Sequence, residues 1–176
     1  THVKYPRSFH FSWSPGVTKD DRIIKDLSGF KDQEIVVTVK MDGENTTMYS
    51  DYMHARSLDY EHHPSRSRVR ALHAQVAHNI PKDWRVCGEN VFAKHSIEYT
   101  NLEDFFLVFS IWNNKNVCLS WDETVEWADL LELKTVPVLY RGIWDEKLLR
   151  QLHKDEYDGN PCEGYVARIS DSFGYG

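Results

Sequence analysis

The segment "IVVTVKMDGENTTMY", residues 35 to 49, constrains the fold more than any other part of the chain. Ile35 to Val39 are all β-branched, and side chains held stiff at χ1 favour a pleated strand over a helix. The run ends on Lys40. Asp42-Gly43 follows as a turn dipeptide before a second β-prone run from Thr46 to Tyr49. That turn fixes the lysine backbone at the end of a sheet, so Lys40 is expected at a rim. Taken alone, strand, Asp-Gly and strand describe a hairpin with a solvated lysine near its tip.

Further strand candidates are Trp84 to Val91, Phe105 to Trp112, Val117 to Leu119, Val136 to Tyr140 and Tyr165 to Ile169. "IWNNKNV" reads as a hairpin turn between two of them. Three helical patterns lie among these strands. In "SRSRVRALHAQVAHNI", Val69, Leu72, Val76 and Ile80 recur at helical spacing until Pro81 stops the run, and Arg66 and Arg70 fall on the opposite face. The second helix opens at Ser120-Trp121-Asp122-Glu123, a capping-box pattern in which the serine oxygen and the glutamate carboxylate satisfy free amides of the first turn. The third is "DEKLLRQLHK", with Asp145 as N-cap and Leu148, Leu149 and Leu152 facing inward. Strands outnumber helices and do not alternate strictly with them. The expected class is therefore α+β, with largely antiparallel sheets and flanking helices.

A chain of 176 residues buries roughly 70% of its unfolded surface, enough for a real core, and no linker or repeat divides it. One domain over 1–176 is the simplest expectation. No stretch approaches the ~20 apolar residues of a membrane span, and the first residues lack the pattern of an export signal. An intracellular, cytoplasmic protein with no membrane partner is expected. Cys87, Cys118 and Cys162 are far apart without C-x-x-C spacing, which argues for buried thiols rather than disulfides or a zinc ribbon. His62, His63, His73, His78 and His95 lack metal-site spacing. The net charge of −6 counts mildly against nucleic acid, so such a partner requires a local basic patch. Arg66, Arg68, Arg70 and Lys82 are the candidates for one, or else the solvated face of a helix.

The K-x-D-G pattern at Lys40 is weak by itself, but other residues follow it in an informative order. They are Asn45, then Arg56-Ser57 in "HARS", Glu89 in "VCGENVF", Phe109 in "FFLVFSIW" and Glu163 in "CEGYVAR". In this order the sequence resembles the covalent nucleotidyltransferase superfamily, and most closely its ATP-dependent RNA ligases of the RNA ligase 2-like branch. The matches run from about Ile35 to Arg168. The resemblance implies a nucleotidyltransferase (ATP-grasp-like ligase) domain in which Lys40 becomes adenylylated. By the same resemblance, Val39, Asn45, Arg56, Glu89 and Phe109 hold the nucleotide, with Glu89 at the ribose and Phe109 stacked on adenine. Glu89 and Glu163 join Lys40 in catalysis, and Glu163 binds metal. Within "FFLVFSIW" a core role competes with stacking for Phe109.

The implied partners are ATP, bound covalently as AMP, Mg²⁺ or Mn²⁺, and RNA with 5′-phosphate and 3′-hydroxyl ends. A monomer acting in RNA repair is expected. The family's last motif, a K-x-K-like lysine pair beyond Glu163, is absent, since no lysine follows Lys154. The expectation is a domain truncated at its C-terminal side before that motif. The open alternatives are a non-covalent nucleotide- or RNA-binding fragment, or a DNA ligase of the same superfamily. The P-loop pattern is absent, and "DGEN" lacks the carboxylates of a calcium loop.

The chemistry sets its own requirement. A free lysine amine is neutral in roughly one molecule in a thousand or fewer at pH 7, and only the neutral amine attacks phosphorus. Neighbouring carboxylates hold the proton on, so a divalent cation or arginines such as Arg56 must reverse the local field.

Overall fold

The computed structural model describes residues 10–11, 23–24, 30–41, 43–55, 67–91, 105–151, 156–157 and 160–174. Their strands are β1 (His10–Phe11), β2 (Ile23–Ile24), β3 (Glu34–Met41), β4 (Glu44–Met48), β5 (Met53–Ala55), β6 (Arg85–Asn90) and β7 (Phe106–Trp112). After these come β8 (Val117–Cys118), β9 (Lys134–Thr135), β10 (Val138–Ile143), β11 (Glu156–Tyr157), β12 (Asn160–Ile169) and β13 (Phe173–Gly174). The helices are α1 (Ser67–Val76), α2 (Trp121–Leu130) and α3 (Glu146–Gln151). Two compact units emerge, one from Pro6–Met41 and Pro137–Ser170, the other from Asp42–Val136 and Asp171–Gly176 with Thr1–Tyr5. The α+β class with mostly antiparallel pairing is as the sequence predicts; β1–β2 and β7–β9 are parallel.

In the first unit a four-stranded sheet runs β10-β3-β12-β11. The β-branched run is its interior strand: Ile35, Val36 and Val37 are fully buried, which suits an uninterrupted apolar run paired on both sides. Ile35 and Val37 pack with Leu149 and Tyr165, and Phe30 stacks on Trp144 with ring centroids 4.8 Å apart. Helix α3 delivers Leu149. The Asp145 carboxylate accepts from the Leu148 amide at 3.2 Å, as an N-cap should. Leu148 is only half-buried, and Leu152 lies outside the described residues. Strand β10 starts two residues later than expected because Pro137 has no N–H for the ladder; its carbonyl accepts from Val39 N at 3.0 Å.

The second unit holds a seven-stranded sheet in the order β13-β8-β7-β6-β4-β5, with β9 alongside β7. Val69, Leu72, Val76 and Ile80 are buried as their spacing predicts, although the α-helix gives way at Val76 to a 3-10 turn over Ala77–Asn79 ahead of Pro81. Helix α2 is capped by Ser120, whose oxygen accepts from Glu123 N at 3.2 Å. The expected return bond from the glutamate carboxylate to a free amide is replaced: Ser120 Oγ donates to Glu123 Oε1 at 3.1 Å. The "NNKN" turn forms as predicted, with Asn113 Oδ1 accepting from the amides of Lys115 and Val117. Asn116 takes φ 60° there, a conformation asparagine tolerates.

The hairpin that Asp42-Gly43 suggests does not form. Strand β3 pairs with β10 and β12, whereas β4 pairs with β5 and β6, so the two runs enter different sheets. Lys40 accordingly is half-buried rather than solvated at a tip.

Candidate active site

Lys40 is the penultimate residue of β3, and its position in the ladder is unusual. Val39 pairs with Tyr165 and Met41 with Cys162, so one residue of β3 stands opposite two of β12. Those two are Glu163 and Gly164. This is a β-bulge, a device that bends a strand and re-aims side chains at a sheet end. Gly164 carries it with φ 117°, in the region that favours glycine. The register thus brings together two sequence-predicted segments, "VKMDG" and "CEGYV", within one sheet. The Glu163 side chain lies outside the described atoms. Val39 is buried, with its amide committed to Pro137 O.

A second group forms on the seven-stranded sheet. Asn45 pairs directly with Glu89, and Glu89 with Leu107. Cross-strand partners share a face, so Asn45, Glu89 and Leu107 line one side of the sheet, each half-buried. Between Cys87–Ser110 and Gly88–Val108 the register shifts, leaving Phe109 as the extra residue of a bulge. The half-buried Phe109 packs against the buried cluster of Cys87, Trp112 and Cys118. Its surroundings therefore accommodate both of the roles weighed for it: one part belongs to the core, and the rest stays accessible.

Deeper on the same face, Thr47 Oγ1 donates to Cys87 Sγ at 3.7 Å, and Trp112 Nε1–H donates to Ser110 Oγ at 3.1 Å. Burial pushes the Cys87 thiol up from 9.0 to about 11, against the opposing pull of the Thr47 hydrogen bond and the Arg85 charge. The buried Arg85 guanidinium sits 4.6 Å over the Trp112 ring and donates to Asn116 Oδ1 at 2.6 Å. Cys87 and Cys118 are buried free thiols as expected; the Cys162 side chain is outside the described atoms.

The predicted basic patch is only partly in view. Arg68 and Arg70 on α1 are half-buried and Lys82 is exposed, while Arg66, Arg56 and Ser57 fall outside the described residues, as do His62, His63 and His95. His73 donates from Nε2 to the Tyr49 carbonyl at 2.6 Å, tying α1 to the end of β4. Sequence reasoning passed over Thr47, Ser110 and Arg85, and read Gly164 only as the residue after Glu163 in its motif. The glycine had a signal, since it stands at the head of a β-prone run where an ordinary strand residue belongs.

The donor set fits a nucleotide. Asn45 Oδ1 is buried without a hydrogen-bond partner among the described residues, an acceptor in search of a donor beside the Glu89 carboxylate. Three or more His, Cys, Asp or Glu side chains do not gather as a metal cage among the described residues. Mg²⁺ does not require one when phosphates and water complete its shell around one or two carboxylates.

Solved structures share this architecture. A Naegleria gruberi RNA ligase variant with ATP and Mn superposes with a TM-score of 0.65 at 18% identity, covering 97% of this chain and 61% of that one. A second such variant with ATP and Mn gives 0.64 at 20% identity, covering 83% and 50%. A third, with AMP and Mn, gives 0.62 at 21% identity, covering 85% and 51%. The chain thus shares the fold of these RNA ligases and spans 50% to 61% of their length. A family model described as RNA ligase matches residues 33–175, and the chain belongs to the RNA ligase family. No curated protein sequence matches it significantly. No helix among the described residues is long and apolar enough to cross a membrane.

Proposed function

We propose that this chain is the adenylylating part of an ATP-dependent RNA ligase in which Lys40 is the nucleophile. The observation that carries the reading is the register that sets Lys40 opposite Glu163-Gly164, inside the stretch that matches the RNA ligase family. In the proposed first step the neutral Lys40 amine attacks the α-phosphorus of ATP, the P–N bond forms, and pyrophosphate leaves in line. Glu89 and the unpaired Asn45 Oδ1 are acceptors for ribose hydroxyls, and Phe109 offers a ring face to the purine. Glu163 would hold a divalent cation, whose chemistry there would be to neutralise charge on the phosphate oxygens. Arg56 adds positive charge, and Val39 lies against the nucleotide as the residue preceding the lysine. In the later steps AMP passes to an RNA 5′-phosphate and a 3′-hydroxyl displaces it. Arg66 and Arg70 are proposed to hold RNA phosphates.

Intact-mass measurement of the full-length protein with ATP and Mg²⁺ or Mn²⁺ tests this. The expected result is a gain of one AMP, lost on adding a chelator and absent in Lys40→Ala. An adduct that survives Lys40→Ala moves the nucleophile elsewhere. ATP binding with no adduct under either ion leaves the non-covalent alternative.

A further inference from the structure

We infer that Phe173, in the short strand β13, is a positioning residue for nucleotide binding: it holds the aromatic floor on which Phe109 rests. This rests on the reading of Phe109 as the purine-facing ring. Phe109 is the extra residue of the β6–β7 bulge, and its half-buried ring packs against the core of its own sheet. The packing surface is Cys87, Trp112 and Cys118, and Phe173 is the other partly buried ring against that same cluster.

Trp112 is the centre of this floor and is fixed from several directions. Arg85 lies over its face at 4.6 Å, its indole N–H donates to Ser110, and Phe173 meets it edge-on with centroids 5.7 Å apart and planes at 88°. Strand β13 consists of two residues and, among the described residues, pairs with β8 alone, where Phe173 stands opposite Cys118 and Cys118 opposite Trp112. One ring near the end of the chain therefore closes the floor beneath a residue far away in sequence. Removing it strips the edge contact from Trp112 and the packing beside Cys118, and with them part of the support on which Phe109 rests. The effect falls on base binding.

The experiment uses the full-length protein and reads two quantities, the equilibrium affinity for ATP from tryptophan fluorescence and the kinetics of AMP attachment. Phe173→Ala is expected to weaken ATP binding and raise KM about five- to tenfold, the scale of one aromatic pair, with kcat within about twofold. Phe173→Tyr is expected to restore the affinity. In a Phe109→Leu background Phe173→Ala is expected to add less than about twofold, because contacts acting through one residue are not additive. Unchanged ATP affinity in Phe173→Ala, or a full additional loss in the Phe109→Leu background, overturns the inference. If Phe173→Ala does not fold, Phe173→Leu is judged by the same two readings. Failure of the unsubstituted protein to bind ATP sinks the ligase reading itself; intact binding that ignores Phe173 sinks this inference alone.

Discussion

Asn45 stands directly across the β4–β6 pair from Glu89, and its amide oxygen is buried with no donor among the described residues. An unpaired buried acceptor costs about 1–3 kcal/mol, a cost that a ligand donor relieves on binding. Asn45→Leu removes the orphan atom without a large change in volume. The apo protein is expected to melt at an unchanged or higher temperature, while the stabilisation by ATP and Mg²⁺ falls by about half or more. Thermal unfolding with and without nucleotide measures both, and an undiminished nucleotide effect counts against a ligand role for Asn45.

Gly164 supplies the φ of 117° that lets two residues of β12 face Lys40. A side chain there brings strain of about 1–3 kcal/mol or moves the bulge. Gly164→Ala is expected to slow AMP attachment about tenfold or more. It should lower the melting temperature by only a few degrees, since the rest of the β3–β12 ladder remains. Single-turnover labelling beside a melting curve separates these effects, and normal labelling would show that the bulge is dispensable.

Gly88 is required for a different reason. A Cβ there would lie 2.6 Å from the Phe106 ring and 2.7 Å from the Leu107 carbonyl oxygen, and backbone cannot give way as a flexible side chain can. Gly88→Ala is expected to cost about 2–3 kcal/mol through overpacking. That corresponds to a melting temperature lower by about 4–10 °C for a protein of this size. Calorimetry checks it.

The Cys87 thiol gives the fold a sensitivity to alkaline pH. Its pKa rises on folding from 9.0 to about 11, mainly by burial, so the native state holds this proton more tightly than the unfolded chain does. The resulting stability is constant below about pH 9 and is lost as pH climbs towards about 11, by on the order of 2–3 kcal/mol at most. Denaturant unfolding at pH 8 and pH 10.5 should show this decline, and Cys87→Ala should flatten it. A thiol that reacts readily with alkylating reagent in the native state at pH 8 would contradict the burial.

Much of this molecule could be read from local pattern. Val69, Leu72, Val76 and Ile80 turn inward as their spacing demands, Ser120 caps α2, and the β-branched run leading to Lys40 is a strand. What the pattern could not convey was partner choice. Asp42-Gly43 has hairpin chemistry, yet tertiary pairing sends β3 and β4 to different sheets. The two bulges, at Glu163-Gly164 and at Phe109, arise from register between distant strands, which no single segment encodes. Strands β9 and β13 are two residues each, too short for alternation to show. Phe173 was accordingly invisible as a neighbour of Trp112. The order of Lys40, Asn45, Glu89, Phe109 and Glu163 was legible through family resemblance; their grouping on sheets required coordinates.

Strand β3 has consequences for how the chain comes off the ribosome. Both of its neighbours, β10 and β12, are made only after Pro137, so the most apolar strand waits without its ladder until segments far downstream are made. Strands β4 to β9, by contrast, emerge in one contiguous stretch and have nearer partners to nucleate on. An emerging polypeptide thus carries a sticky, unsatisfied edge from the making of β3 until Ile169 is synthesised, and chaperone engagement is most needed in that window.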